Sequence, residues 1–404
     1  MIRSTKTTLR FARLKKREHI VAFVDEYRKA MQQFVDLMWD LESVQTLAPK
    51  DITKKVETWL SARAVQCAAK QASGVVRGAK QKQKQRLFAI GKLTAEGKFK
   101  QARKLQRIYD AVVTTKPKVD NVECELDARF VKQDFANQTS FDGWVTLGSL
   151  GNKLKIELPV KKHDHFNRLL ARGGVLRGGI RLSKQMVTFM FDLPEPVERT
   201  ESKILGIDIG QTTALSCSDG QIVDCCPHGH TYKSICCELA RKKRGSRNFA
   251  QKVIHRTNYI NYTVNRLNFT GVGTVNREDI KNMRNGRRGS RSLSHWNYAE
   301  LFDRLDAKLE EQGVLVCKFI PTYTSQRCSA CGWVRKGNRS GKRFRCDKCF
   351  HEQDADLNAA TNLSLSLSPI STRERLLHRN RTGFFWCAAG EEPISPSHSG
   401  NTKT

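Results

Sequence analysis

Apolar positions recur at two different periods along this chain and divide it into helical and extended stretches. After a short β-prone opening, the segment "IVAFVDEYRKAMQQFVDLMWDL" repeats apolar residues at helical spacing. A second helical stretch is predicted from about Asp51 to Ala72. The Lys-, Gln- and Arg-rich sequence that follows, to about residue 107, predicts one or two solvated helices with a positive face. The amino-terminal part is therefore expected to be mainly helical.

Between residues 127 and 194 the spacing of apolar residues changes from the helical period to alternation with polar residues. The stretches "GWVTLGSLGNKLKIELPV" and "GGIRLSKQMVTFMFDLP" alternate apolar and polar residues between Gly and Pro breaks, which is typical of β-strands in a small barrel or sheet. The following "EPVERTES" is predicted to be a linker.

Beyond the linker, two predicted strands end in acidic residues. "ILGID" ends at Asp208, and "VGTVNREDIKNM" contains a short strand that ends at Glu278 and Asp279. An aspartate on a buried strand is costly unless it is paired or holds a cation. By itself Asp208 is either a metal ligand or a turn or edge residue. The second strand-terminal acid favours a cation site, because such carboxylates can converge on divalent ions across a sheet.

Three further elements are predicted around these strands. A long helix from about residue 238 to residue 269 carries a basic cluster at its start. "NYAELFDRLDAKLEEQG" predicts an amphipathic helix that stops at Gly313, and "VLVCKFIP" predicts another strand. Small residues and leucines in "LNAATNLSL" predict a helix that packs closely on a sheet, directly after Asp354 and Asp356.

Four cysteines in two Cys-x-x-Cys pairs predict a zinc ribbon. Cys328 and Cys331 form one pair and Cys346 and Cys349 the other, with 14 residues between the pairs. Four thiolates close the coordination sphere of the ion, so this zinc would be structural and catalysis would occur elsewhere. The neighbouring carboxylates are the candidates.

Length and charge narrow the class of protein. A chain of 404 residues should contain at least two cores. Its net charge of +31 exceeds what solubility requires and indicates a polyanionic partner, with nucleic acid as the first candidate. The basic amino terminus is not followed by an apolar core, and no later stretch is apolar for long enough to span a bilayer, so we expect a cytoplasmic protein without a membrane partner.

Four motifs in order resemble one known family. "GIDIG", "REDIKNM", "PTYTSQRCSACGW" and "DADLNAATNL" are similar to those of the TnpB family, the transposon-encoded RNA-guided DNA endonucleases related to the type V CRISPR effectors. The resemblance implies a multidomain α+β protein with a RuvC-like nuclease of the RNase H fold, interrupted by a zinc ribbon. It also implies domain limits, which are 1–15 for a first wedge strand, 16–118 for a helical recognition domain, 119–200 for a β-rich wedge domain, 201–321 and 354–368 for the two nuclease parts and 322–353 for the ribbon. The tail, 369–404, is expected to be disordered because of its Pro, Ser, Gly and Thr content.

The same resemblance implies a catalytic set. Asp208, Glu278 and Asp356 match the family's three acids and would hold two Mg²⁺ ions for hydrolysis of phosphodiester bonds in both DNA strands. Asn276 and Arg277 stand where the family usually has apolar strand residues, so Asp279 is the alternative to Glu278. Asp354 would be a neighbour and not a primary ligand.

The expected partners are nucleic acids. A guide RNA from the element's end would select double-stranded target DNA beside a short flanking motif, with one protein per guide RNA. The candidate phosphate contacts are basic residues in three clusters, namely Lys80, Lys82, Lys84 and Arg86, then Arg241, Lys242, Lys243, Arg244 and Arg247, then Arg287 and Arg288. The last cluster belongs to a predicted lid, "RNGRRGSRSLSHW". Truncation of the tail is expected to leave activity largely intact.

Two other functions compete with guided cleavage. A binding-only relative would repress transcription at guided sites, but it would be expected to lose catalytic acids, and all three are present. An unguided accessory protein of transposition would not need so large a basic amino-terminal half. The sequence therefore favours the nuclease.

Overall fold

The computed structural model describes residues 1–46, 50–136, 139–280, 290–320, 322–365, 367, 370, 374, 378 and 383–387. It combines helices with several separate sheets and divides into two compact units, Met1–Glu195 and Pro196–Thr404. None of the helices in this described part has the length and apolarity needed to cross a bilayer.

The first unit contains a four-stranded and a three-stranded sheet together with a helical group. Its elements are β1 (Ile2–Thr8), α1 (Leu14–Trp39), α2 (Lys50–Lys54), α3 (Ala62–Ala95), α4 (Phe99–Val112), β2 (Cys124–Leu126), β3 (Val131–Asp134), β4 (Gly143–Leu147), β5 (Ile156–Val160), α5 (Asp164–Ala171), β6 (Val175–Leu182) and β7 (Met186–Asp192). The strand orders are β1-β7-β6-β2 and β3-β4-β5, and all pairings are antiparallel.

Helical periodicity correctly located α1 but not the limits of the next helices. The apolar positions at helical spacing in α1, such as Ile20, Phe23, Tyr27 and Phe34, are almost fully buried in the core of the unit, whereas Val21 is exposed. The predicted helix at 51–72 is instead two helices with a break, because Ser61 caps a new helix by accepting a hydrogen bond from the amide of Ala64 at 3.1 Å. Helix α3 then continues to Ala95.

The second unit is built on one mixed sheet and a small ribbon. Its elements are β8 (Ile204–Ile209), β9 (Leu215–Cys217), β10 (Ile222–Val223), α6 (Tyr232–Arg241), α7 (Arg247–Arg266), β11 (Thr274–Glu278), a 3₁₀ turn (Leu293–His295), α8 (Tyr298–Glu311), β12 (Leu315–Phe319), β13 (Trp333–Val334), a 3₁₀ turn (Lys336–Asn338), β14 (Arg339–Ser340), β15 (Arg343–Arg345), β16 (Glu352–Asp354), α9 (Ala355–Ser364) and β17 (Phe384–Phe385).

The main sheet of this unit has the strand order β10-β9-β8-β11-β12. Strands β8, β11 and β12 are parallel, whereas β9 and β10 run antiparallel to their neighbours. Helix α9 packs so closely on β8 that a Cβ atom added to Gly206 would lie 1.9 Å from the carbonyl oxygen of Ala360. The glycine of "GIDIG" and the alanines of "LNAATNL" therefore permit this helix–strand contact.

The predicted long helix after the first acid is wrong in one respect. Helix α6 ends at Arg241 and α7 begins at Arg247, because Gly245 adopts φ 82° and Ser246 caps α7 through the amide of Phe249 at 3.2 Å. The basic cluster therefore lies mostly in a turn between two helices and not on one continuous helix.

The stretch from residue 369 onward also differs in part from the expected disorder. Most of it lies outside the described residues. Within it, Phe384 and Phe385 form β17, which pairs with β13 of the ribbon.

Candidate active site and cysteine cluster

Two of the candidate acids lie level with each other on adjacent parallel strands. Asn276 pairs with Gly206, and Arg277 pairs with Ile207, so the next residues along the two strands are Glu278 and Asp208. Each of these two acids is only 8% exposed. The geometry of the parallel pair thus places both carboxylates at the same end of the sheet.

The third acid reaches the same region from α9. Asp356 occupies the first turn of this helix and is 7% exposed. The charges of Glu278 and Asp356 both act on Asp208 and raise its pKa, so the three carboxylates lie within electrostatic range of one another, although they are not gathered as tightly as the four cysteines described below. Asp354 has a different task, since its carboxylate caps α9 by accepting from the amides of Asp356 at 2.9 Å and Leu357 at 3.1 Å.

Burial dominates the electrostatics of the two strand acids. Desolvation, followed by the charges of Glu278 and Asp356, holds the pKa of Asp208 well above its usual range. Burial likewise raises the pKa of Glu278 to about 7, although a hydrogen bond from Thr324 at 3.2 Å and the charge of Arg339 oppose the rise. Such carboxylates ionise readily only when positive charge is brought to them.

Asp356 already has positive partners, and both come from the ribbon. Arg339 donates to one carboxylate oxygen at 2.6 Å, and Lys342 donates to the other at 2.9 Å. Burial raises the pKa of Asp356, but the hydrogen bonds and charges of these two cations outweigh it and the net shift is downward. The ribbon is thus joined directly to the third acid.

The polar residues that precede Glu278 have specific partners inside the unit. The side-chain amide of Asn276 donates to the carbonyl oxygen of Leu363 in α9 at 2.8 Å. Arg277 is 4% exposed, forms a bidentate pair with Asp306 at 2.6 and 2.8 Å, and lies over the ring of Phe302 at 4.0 Å. These contacts explain how polar residues occupy a buried strand. In the register of this strand, Glu278, rather than Asp279, lies level with Asp208.

The donor set at this end of the sheet suits hard cations. Carboxylate oxygens are the protein ligands that Mg²⁺ prefers. Ser216 pairs with Asp208 across β9 and β8, and its hydroxyl is buried without a hydrogen-bond partner among the described residues. The Thr213 hydroxyl is in the same situation. A buried hydroxyl without a protein partner, opposite the buried carboxylate of Asp208, fits a site completed by a hydrated cation.

The four cysteines of the ribbon form a closed cluster. Their Sγ atoms all lie within 4.8 Å of one another, and the Cys328–Cys349 and Cys331–Cys346 pairs are each 3.6 Å apart. These spacings fit four thiolates around one tetrahedral Zn²⁺ at about 2.3 Å. In the described part of the chain, no other group of three or more His, Cys, Asp or Glu side chains is gathered in this way.

The predicted phosphate contacts lie on two surfaces. Lys80, Lys82, Lys84 and Arg86 belong to α3, where Lys82 and Lys84 are exposed and Lys80 donates to the carbonyl oxygen of Leu41. In the cluster from Arg241 to Arg247, all the basic residues except the partly buried Lys242 are exposed. Arg287 and Arg288 lie outside the described residues.

Sequence reasoning missed the role of three residues at the site. Thr324 holds Glu278, while Arg339 and Lys342 hold Asp356. In the sequence, Arg339 and Lys342 are only two of several basic residues between the cysteine pairs. No spacing rule connects them to an acid 14 or 17 positions later, so only the folded ribbon reveals the pairing.

Comparisons with known proteins give matches to one group. Residues 298–363 match the family model described as the Cas12f1-like TNB domain. The chain is 43% identical over 119 residues to the CRISPR-associated endodeoxyribonuclease Cas12f1 of Sulfoacidibacillus thermotolerans, covering 29% of this chain and 27% of that protein. It is 34% identical over 101 residues to the putative RNA-guided DNA endonuclease InsQ of Escherichia coli (strain K12), covering 25% of each. These alignments span only about a quarter of the relatives' lengths.

A solved structure is similar over a longer part of the chain. It is the cryo-EM structure of a Cas12f1–sgRNA–target DNA complex, with a TM-score of 0.44 and 14% identity over 90% of this chain and 99% of that one.

Proposed function

We propose that this chain is an RNA-guided DNA endonuclease of a transposable element. The premise is that it carries a Cas12f1-like TNB domain and is related to Cas12f1 and TnpB-type nucleases. It cuts both strands of DNA at a guide-matched target beside a short flanking motif. One observation carries the proposal. Asp208 and Glu278 lie level on adjacent parallel strands, and Asp356, in the first turn of the helix that packs on β8, acts on Asp208 through its charge and is paired with two cations of the four-cysteine ribbon.

The order of the main sheet supports a RuvC-like assignment of the RNase H type. Three parallel strands stand beside an antiparallel pair, and the acids come from β8, β11 and helix α9. In this proposal residues 201–321 and 354–368 form the nuclease, and residues 322–353 form the inserted ribbon. Residues 1–15 and 119–200 form the wedge domain, and residues 16–118 form the recognition domain.

Asp208, Glu278 and Asp356 would hold two Mg²⁺ ions, and the chemistry supplied with them would be an attacking water of lowered pKa and stabilisation of the leaving oxygen of the phosphodiester. Asp208 and Glu278 are fixed by their strands, and Thr324 orients the Glu278 carboxylate by donating to Oε1 at 3.2 Å. Their burial keeps competing water away from the acids, which strengthens their attraction for cations.

Zn²⁺ would be held by Cys328, Cys331, Cys346 and Cys349. Four thiolates leave no open position, so this ion stabilises the ribbon and takes no part in hydrolysis. The ribbon in turn presents Arg339 and Lys342 to Asp356. The side chains of Arg339 and Lys342 are suitable partners for DNA phosphates next to the cleavage site.

Nucleic acids account for the remaining charge. A guide RNA transcribed from the element's end would pair with the target strand, and the protein would contact phosphates and duplex shape. The exposed lysines of α3 and the basic turn between α6 and α7 are the proposed phosphate contacts, in a complex with one protein per guide RNA.

The test is to express the chain together with its downstream locus and sequence the RNA that copurifies. The complex is then incubated with Mg²⁺ and plasmids that carry the guide-matched target beside a randomised flank. We expect one defined RNA and the selective loss of plasmids with one class of flank. The absence of a defined RNA would refute the guided function, and binding of the target without cleavage would favour the repressor.

A further inference from the structure

A short segment near the carboxyl end of the chain is seated on the ribbon. This segment, Gly383–Cys387, is called the strap. Its residues Phe385 and Phe384 pair antiparallel with Trp333 and Val334, and the amide of Trp386 donates to the carbonyl oxygen of Gly332 at 2.9 Å. The strap therefore adds a strand to the first cysteine-bearing turn of the ribbon.

The contact surface is shaped for this strand. A Cβ atom added to Gly383 would lie 2.3 Å from Cζ2 of Trp333, and one added to Gly332 would lie 3.0 Å from the carbonyl oxygen of Trp386. The rings of Phe385 and Trp333 are 4.9 Å apart. Two glycines at the closest approaches thus allow the strap and the ribbon to pack without a gap.

A buried arginine links the strap to the nuclease core. Arg327 is 4% exposed, and its Nε donates to the carbonyl oxygen of Trp386 at 2.7 Å. Its Nη1 donates to Oδ1 of Asn362 at 2.7 Å and to the carbonyl oxygen of Cys328 at 3.1 Å. A buried guanidinium needs acceptors for its donors, so loss of the strap would leave Nε without the acceptor it now has.

The same network continues to a candidate catalytic acid. The side-chain amide of Asn362 donates to the carbonyl oxygens of Thr324 at 2.9 Å and Arg327 at 2.7 Å. Thr324 is 4% exposed, and its hydroxyl donates to Oε1 of Glu278 at 3.2 Å. An unbroken path of hydrogen bonds and one short stretch of backbone therefore joins the strap to Glu278.

We propose that the strap is a positioning segment of the active site, which holds the Glu278 carboxylate in place through Arg327, Asn362 and Thr324. The inference rests on the proposed nuclease function. It reverses the expectation that truncation of the tail is harmless, but only for five residues of the tail.

Two truncated chains isolate these five residues. A chain of residues 1–387 keeps the strap, and a chain of residues 1–382 lacks it, so the shorter chain differs from its control only by Gly383–Cys387. With guide RNA and target DNA bound, we expect the 1–387 chain to cleave like the full chain. The 1–382 chain should retain zinc and bind both nucleic acids, yet cleave about tenfold more slowly at low Mg²⁺, the size of one hydrogen bond to a charged group. High Mg²⁺ should restore most of the rate.

Hydrogen exchange provides a measurement that does not depend on cleavage. The amides of Gln326 and Arg327 donate to the carbonyl oxygen of Tyr323 at 2.9 and 3.0 Å, so they report the order of the segment that contains Thr324. Both should exchange faster in the 1–382 chain than in the 1–387 chain. If the full chain does not cleave guided DNA, the proposed function fails, and this exchange still decides whether the strap orders the segment.

Point variants guard against simple misfolding of the shorter chain. Gly383→Val in the full chain should displace the strap from the Trp333 ring and reproduce the increased Mg²⁺ requirement. Thr324→Val should do the same with the strap still docked, and Thr324→Ser should restore the normal requirement. Equal Mg²⁺ dependence and equal exchange in the 1–382 and 1–387 chains would overturn the proposal. A Thr324→Ser variant as defective as Thr324→Val would overturn it as well.

Discussion

The contact between α9 and β8 is the place in the second unit where a small substitution is expected to have the largest effect. In Gly206→Ala the new methyl would lie 1.9 Å from the carbonyl oxygen of Ala360 and 2.5 Å from the amide nitrogen of Ser364. Because Cβ atoms rarely approach other heavy atoms within 3.0 Å, α9 must retreat by about 1 Å. Overpacking of this kind costs about 1–3 kcal/mol of the free energy of unfolding. The retreat also moves Asp356, and a misplacement of about 1 Å can slow a reaction about a hundredfold.

Denaturant unfolding, hydrogen exchange along α9 and the rate of guided cleavage together test this prediction. Gly337→Ala is the matched control, since it lies in the same unit and its nearest neighbour would be 4.0 Å away. The control should stay within about 0.5 kcal/mol of the unsubstituted chain. If Gly206→Ala unfolds at the same denaturant concentration as the control and its α9 amides exchange no faster, the close packing described above does not exist.

Two further predictions concern the acids and the ribbon. In buffer without Mg²⁺ the second unit should lose stability as the pH rises. Burial raises the folded-state pKa of Glu278 to about 7 from an ordinary value of 4.5. The folded state therefore holds this proton more tightly than the unfolded state, and the resulting contribution to the free energy of unfolding is complete below about pH 4.5 and is lost as the pH rises through 7. The difference in free energy of unfolding between pH 5 and pH 8 should be smaller for Glu278→Gln than for the unsubstituted chain. An unchanged difference would count against the assignment. Cys346→Ser should lose the bound zinc measured by atomic absorption, whereas Cys317→Ser, at an exposed cysteine outside the cluster, should keep it. Zinc retained by Cys346→Ser would contradict a four-thiolate site.

Features with a local signal could be read from the sequence. The periodicity of α1, the position of Glu278 at the end of β11, the position of Asp208 one residue before the end of β8 and the spacing of the four cysteines each depend on a few neighbouring residues. The break between α6 and α7 also had a local signal that was overlooked, because Gly245 followed by Ser246 combines a left-handed turn with a helix cap.

Features that depend on distant partners could not be read in this way. By sequence alone Asn276 and Arg277 are unexpected in a buried strand. In the folded unit Asn276 donates to the carbonyl oxygen of Leu363, and Arg277 donates to the carboxylate of Asp306. The pairing of Arg339 with Asp356 and the strand formed by Phe384 and Phe385 are of the same kind. In each case the partner that explains the residue lies many positions away in sequence.

The central claim is that Asp208, Glu278 and Asp356 form a single nuclease site directed by a guide RNA. It is tested most directly by measuring Mg²⁺-dependent cleavage of both strands of a guide-matched plasmid by Asp208→Ala and the unsubstituted chain, with guide and target binding measured in parallel. The account predicts that Asp208→Ala binds the RNA and the DNA normally and cuts neither strand. Cleavage of either strand by Asp208→Ala at the unsubstituted rate would contradict it.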